Sequence, residues 1–139
     1  MPAQPTLVRT LASADGSEII IGLSLINDYI YIGRSWATNI EVYSASTFSL
    51  QRRLAVPGLD LPNDMCGCPA FKCLYISDYG SDVHRVEVAK QGSSQAKWPV
   101  GDRPTSLSVS PDTNNLLVIF QNSQRVIYTT TPTVVLVIV

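Results

Sequence analysis

Cys68-Pro-Ala-Phe-Lys-Cys73-Leu-Tyr-Ile-Ser-Asp78-Tyr-Gly-Ser-Asp82-Val-His84-Arg-Val-Glu-Val88 is a strand end, a tight turn, a strand, a second turn and a third strand. Leu74-Tyr75-Ile76 is a short β-favouring apolar run. Asp78 to Asp82 supplies the Asp, Gly and Ser that a chain reversal needs. Val86 and Val88 alternate with Arg85 and Glu87, the period of a half-buried strand.

The same paragraph of sequence recurs on both sides of this stretch. Tyr31 and Tyr75 lie 44 residues apart, and Leu74 and Leu117 lie 43 apart. Gly58 and Gly101 are again 43 apart, as are Leu7-Val-Arg-Thr-Leu11 and Leu50-Gln-Arg-Arg-Leu54. Pro62 and Pro104, each opening a strand, are 42 apart. One period of about 43 cuts the chain into units of four strands. A leading outer strand falls near 7–11. The first unit places strands near 19–25, 29–33, 39–43 and 48–56. The second places them near 64–68, 73–77, 84–88 and 95–100, with Val83 an alternative to Val86 in the third register. The third unit places strands near 105–110, 116–120, 125–129 and 133–139. No 3.6-residue periodicity is sustained, so no helix is expected.

In residues 48–56, alternation sets Phe48, Leu50, Leu54 and Val56 on one face and Ser49, Gln51 and Arg53 on the other, with Arg52 interrupting the apolar face. The inner strands within residues 18–25 and 116–120 read as continuously apolar, the mark of burial on both faces. Pro99 fits an outermost strand, where no ladder donor is missed.

Four antiparallel strands repeating at this period are the pattern of a β-propeller blade. The expected fold is an all-β propeller arc of about three blades, near 19–56, 64–100 and 105–139. At this point the chain resembles the NHL family of propeller repeats: Arg103-Pro-Thr-Ser-Leu-Ser-Val109, Leu74-Tyr-Ile-Ser-Asp78 and His84-Arg-Val-Glu-Val88 look like its three consensus pieces. The family Asp that braces the turn between the second and third strands matches Asp78, with Arg34 and Gln121 in its place in the other units.

Composition removes several classes of function. The chain has 139 residues, 45% apolar and 15% charged, so disorder is not expected. A net charge of −1 lacks the basic footprint of a nucleic-acid binder. No stretch is long and apolar enough to cross a membrane as a helix, so no membrane partner is expected. The single histidine, His84, leaves no base-and-orienter pair for a hydrolase; it reads as a strand residue beside Asp82 or solvent. No phosphate loop or dinucleotide fingerprint is present, and no cofactor is called for.

Cys68 and Cys73 flank a hairpin turn at a spacing that allows a disulfide, which would leave Cys66 as a reactive thiol. Three buried thiols, or a metal site completed by His84, are the alternatives. Charge placement suggests a contact surface. Connections between blades and between second and third strands share one face. It collects Asp15, Glu18, Asp60, Asp64, Asp78, Asp82 and Asp102 against Arg34 and Arg103, with Trp36 among them. Solvated turn carboxylates are the plain explanation. The functional one is a face for a protein or polar ligand, basic or carrying a cation.

The expectation is a non-catalytic binding or scaffold module using Arg34, Trp36, Asp60, Asp64, Asp78, Asp102 and Arg103. The alternative is part of a metal-dependent lactonase-like hydrolase or lyase, with Asn63 and Asp64 near the axis. A ubiquitin-ligase recognition propeller is a third reading, without its zinc-binding domains here. Three blades do not close a ring, so further blades or a second copy are expected to complete it. The bare apolar edge at 133–139 points the same way. The isolated chain should therefore dimerise, aggregate or be markedly less stable than one with more blades, and sedimentation as a well-behaved, cooperatively unfolding monomer would contradict this.

Overall fold

The two-residue alternation resolves into sheets of four. The computed structural model describes residues 4–6, 19–80, 82–88, 95–100, 103–120, 126–131 and 134–138. The first sheet comprises β1 (Ile20–Ile26), β2 (Tyr29–Arg34), β3 (Asn39–Ser44) and β4 (Leu50–Ala55). The second comprises β5 (Pro62–Cys68), β6 (Cys73–Asp78), β7 (Asp82–Glu87) and β8 (Gln95–Pro99). The third comprises β9 (Pro104–Val109), β10 (Leu116–Phe120), β11 (Val126–Thr131) and β12 (Val134–Ile138). Each sheet is antiparallel with its strands in chain order, and no helix occurs among the described residues. The expected leading strand at 7–11 lies outside the described residues.

The register shows the repeat more sharply than the sequence does. Ile20 pairs with Arg34 and Gly22 with Gly33; Pro62 pairs with Asp78 and Asp64 with Ser77; Pro104 pairs with Phe120 and Ser106 with Ile119. Each inner strand thus begins with a one-residue bulge, which bends the strand and re-aims its first side chains. The same register corrects the alignment of Asp78 in the third blade. Its counterpart is the buried Phe120, because the pairing repeats 42 residues on, from Pro62–Asp78 to Pro104–Phe120; Gln121 lies outside the described residues.

A second bulge overturns the expected face of β4. Val42 pairs with Arg52 and Tyr43 with Leu50, so Gln51 is the extra residue. Leu50 is thereby turned to the opposite face from Leu54 and is 41% exposed. Arg52 falls on the inward face with Leu54, and its Nη2 donates to the Val88 carbonyl of the next blade at 3.1 Å.

Two apolar clusters join the blades. Ile26, Tyr31, Val42, Leu54 and Val56 of the first meet Met65, Leu74, Ile76 and Val86 of the second. Cys68, Cys73, Tyr75 and Val83 of the second meet Leu107, Leu116, Val118 and Phe120 of the third. Val83 and Val86 are both fully buried, on opposite faces of β7 against the two neighbours. Burial on both faces belongs to β6, every residue of which is buried. In β1, by contrast, Leu23 and Leu25 are 63% and 57% exposed. They point away from the second blade, and double burial needs a sheet on each side.

The inner strands approach so closely that side chains are excluded. A Cβ at Gly22 would lie 2.6 Å from the Met65 Cβ and 2.9 Å from its carbonyl oxygen. One at Gly67 would lie 1.9 Å from Ser24 Oγ. Gly22→Ala should therefore cost about 1–3 kcal/mol by overpacking. Gly80→Ala, where the nearest atom to the new Cβ is Asp78 Oδ1 at 3.7 Å, should stay within about 0.5 kcal/mol. Urea denaturation of the two variants checks this.

Candidate functional site

Asp78 ends β6 and holds the chain that enters the second blade. Its Oδ2 accepts the Asp60 N–H at 3.0 Å, and its Oδ1 accepts those of Leu61 at 3.2 Å and Gly80 at 3.3 Å. Tyr79 N–H in turn donates to the Leu61 carbonyl at 2.9 Å. Burial alone would push the Asp78 carboxyl up, but the three N–H donors and His84 outweigh it and hold the carboxyl below its usual range. His84 Nε2 lies 3.4 Å from Asp78 Oδ2, both side chains buried, without a well-directed hydrogen bond. Burial dominates for His84 and favours its neutral form, against the pull of Asp78 and Asp82.

That brace fixes one wall of a groove between the first and second blades. The groove measures about 330 Å³ and is lined by Ser35, Trp36, Leu61, Pro62, Asn63 and Tyr79. Trp36 sits in a reversal in which Ala37 N–H donates to the Arg34 carbonyl at 3.4 Å. Its φ is 65°, a left-handed value at a turn position that favours glycine, and its side chain is 74% exposed. Across the groove, Arg103 stacks over the Tyr79 ring at 5.1 Å, with Nη1 3.4 Å from the Tyr79 hydroxyl. Asn63 Nδ2 donates to the Pro104 and Thr105 carbonyls at 3.2 and 3.5 Å, tying the groove floor to the third blade.

The structure sorts the sequence candidates into two groups. Trp36, Asp60 and Arg103 are exposed on this face. Arg34 and Asp78 are buried and engaged: Arg34 Nε meets Glu41 at 2.9 Å, and Arg53 meets the other Glu41 oxygen at 3.8 Å. Asp64 Oδ2 accepts the Leu107 N–H at 2.7 Å, so this carboxylate is an inter-blade clamp. Asp82 pairs with Lys97 at 3.7 Å. Asp15, Glu18 and Asp102 lie outside the described residues. Among the described carboxylates of this face, Asp60 is the exposed one; the others hold backbone or a cation. Tyr79 went unread, although it stands 43 residues after Trp36, one repeat period.

Cys68 and Cys73 are direct cross-strand partners, and all three cysteines are free thiols. Cys66, the thiol that the count leaves over, is half-buried. Burial, with the Asp64 charge adding, pushes its pKa up to about 12, which leaves almost no thiolate at neutral pH. Among the described residues no group of three or more His, Cys, Asp or Glu side chains is placed to hold a metal ion.

No protein-family model matches the chain. Antigen Lp49 of Leptospira interrogans serogroup Icterohaemorrhagiae serovar copenhageni is 29% identical over 126 residues, covering 81% of this chain and 27% of that protein. Among solved structures, the propeller-containing hydrazine synthase of Kuenenia stuttgartiensis is similar with a TM-score of 0.67. The identity is 16%, over 84% of this chain and 36% of the other. The likeness is one of fold: the chain is an arc of a β-propeller built from four-stranded antiparallel blades. It spans well under half the length of either protein.

Asp78→Ala should destabilise the protein on the order of 3 kcal/mol, because three N–H groups lose their acceptor. Two pH windows follow from the shifts. His84 has a lowered pKa in the native state, so its contribution is complete above the unfolded value near ~6.5 and falls as pH drops below it. Asp78, also lowered, keeps its contribution above ~3.9 and loses it below. Stability should therefore decline between about pH 7 and pH 5, and His84→Gln should flatten that decline. Denaturation midpoints across this range provide the measurement.

Proposed function

We propose that the chain is part of a non-catalytic binding module, NHL-like in its repeat, that takes a protein segment in the Trp36–Tyr79 groove. One observation carries the reading: an exposed tryptophan held in a left-handed conformation on the rim of a groove shared by two blades. Backbone strain of this kind costs on the order of 1–3 kcal/mol and persists where the surroundings over-determine it. A rigid aromatic on a loop loses little side-chain freedom on binding, which is why such residues dominate contact energies. Asp60 and the stacked Arg103 supply charges of both signs beside the two rings.

The binding reading is favoured over the lactonase-like one by what Asn63 and Asp64 do. Both are spent on backbone groups of the third blade, where a metal-dependent enzyme would need them free. The relative that carries the name of an antigen is likewise named for being recognised and not for a reaction. The open face with Leu23 and Leu25 supports further blades, or a second copy, completing the ring.

Peptides selected from a random display library on the wild-type protein test this reading. Trp36→Asn is the diagnostic variant, since Asn tolerates the left-handed conformation and removes the ring. It should fold with equal or slightly higher stability and bind the selected peptides at least about tenfold more weakly, ~1.4 kcal/mol. Tyr79→Ala should weaken them as well. Peptides that bind both variants as tightly as the wild type would place the contact elsewhere and end the proposal.

A further inference from the structure

The opposite face of the arc, where first-to-second and third-to-fourth strand turns gather, holds a larger cavity of about 550 Å³. It lies between the first two blades and is independent of the aromatic groove. Two cations line it, Arg52 from β4 and Lys72 from the β5–β6 turn, together with Tyr29, Tyr31, Asn27 and Gln51. Among the described residues no carboxylate lines it, and neither Arg52 nor Lys72 has an ion-pair partner. The other described basic side chains of the first two blades are differently placed: Arg34, Arg53, Arg85 and Lys97 each face an acid.

We infer that this cavity is a binding site for a small organic anion, one with a carboxylate or phosphate head and a flat or apolar body. Arg52 is half-buried and oriented before any ligand arrives. The bulge at Gln51 turns it inward, the Val88 carbonyl accepts from its Nη2 at 3.1 Å, and Tyr31 shares a hydrogen bond with it. A guanidinium has five N–H donors, so these two contacts leave donors for an incoming anion in the fixed fork that suits carboxylate and phosphate. Lys72 adds a mobile point charge from the rim, where its φ of 50° ends the hairpin. Burial keeps the Tyr31 phenol protonated despite the neighbouring Arg52, so it remains a hydroxyl able to donate. The exposed Tyr29 ring beside it offers a surface for the ligand's body. The volume is that of an ordinary small-molecule site, roughly 300–1,000 Å³.

The test is calorimetric titration of the full chain at low salt with inorganic phosphate, benzoate and the neutral analogue benzamide. At least one of the two anions should bind saturably, and benzamide should not. Benzoate without phosphate assigns a carboxylate head on a flat body, and phosphate without benzoate assigns a phosphate head. Lys72→Asn removes the charge while suiting the left-handed backbone, and Arg52→Lys keeps the charge while losing the fork. Each should weaken the bound anion by about tenfold. Arg53→Gln, one residue from Arg52 on the other face of the sheet, makes the same change in net charge as Lys72→Asn and should leave binding unaltered. If Arg52→Lys fails to fold, the comparison of Lys72→Asn with Arg53→Gln decides alone. Failure of both anions to bind, equal binding of benzamide, or equal loss in Arg53→Gln would each overturn the site.

Discussion

The distance between neighbouring inner strands governs this arc. At Gly22 the first blade comes closer to the Met65 backbone than a side chain allows, and Gly67 leaves room for the Ser24 side chain. Everything else follows from that approach. It brings Met65 against the first blade and lets Tyr31, Val42, Leu74 and Ile76 meet in one cluster. Openings lie at both ends of the interface, among the turns that join the strands. One opening holds Trp36 and Tyr79, the other Arg52 and Lys72.

Much of this was legible in the sequence because a strand's two-residue alternation and a 43-residue period are redundant signals. Strand identities and turns followed from them directly. The bulges did not, because one extra residue leaves composition and period untouched while turning every later side chain over. Leu50 shows the effect: alternation puts it with Leu54, and the bulge at Gln51 puts it with Tyr43 and Arg53. The pairing register, which repeats 42 residues on from Pro62 to Pro104, sets Phe120 in the place of Asp78.

The use of the loop carboxylates was not legible in the sequence. Sequence can count carboxylates in turns, and it cannot tell which of them is already holding backbone. Asp78 and Asp64 are consumed by N–H groups of chain segments 17 and 43 residues away, contacts that no local pattern announces. Once those are subtracted, aromatic surface and not charge distinguishes the face among the described residues. On the opposite side, Arg52 looked like an interruption in an apolar strand and proved to be the bridge between two blades.

The complete burial of β6 has a consequence for how the molecule opens. In a linear array of repeats, each unit is held only by its neighbours, so a unit flanked on both sides is the last to come apart. The six residues Cys73–Asp78 have sheets against both faces, whereas among the described residues β1 has a sheet against one. Backbone amides of β6 should therefore exchange with solvent only when the whole array unravels, and those of the flanking blades should exchange through smaller openings. The last elements to unravel then carry Asp78 and adjoin the hairpin of Lys72, so both recesses keep one firm wall while the other breathes.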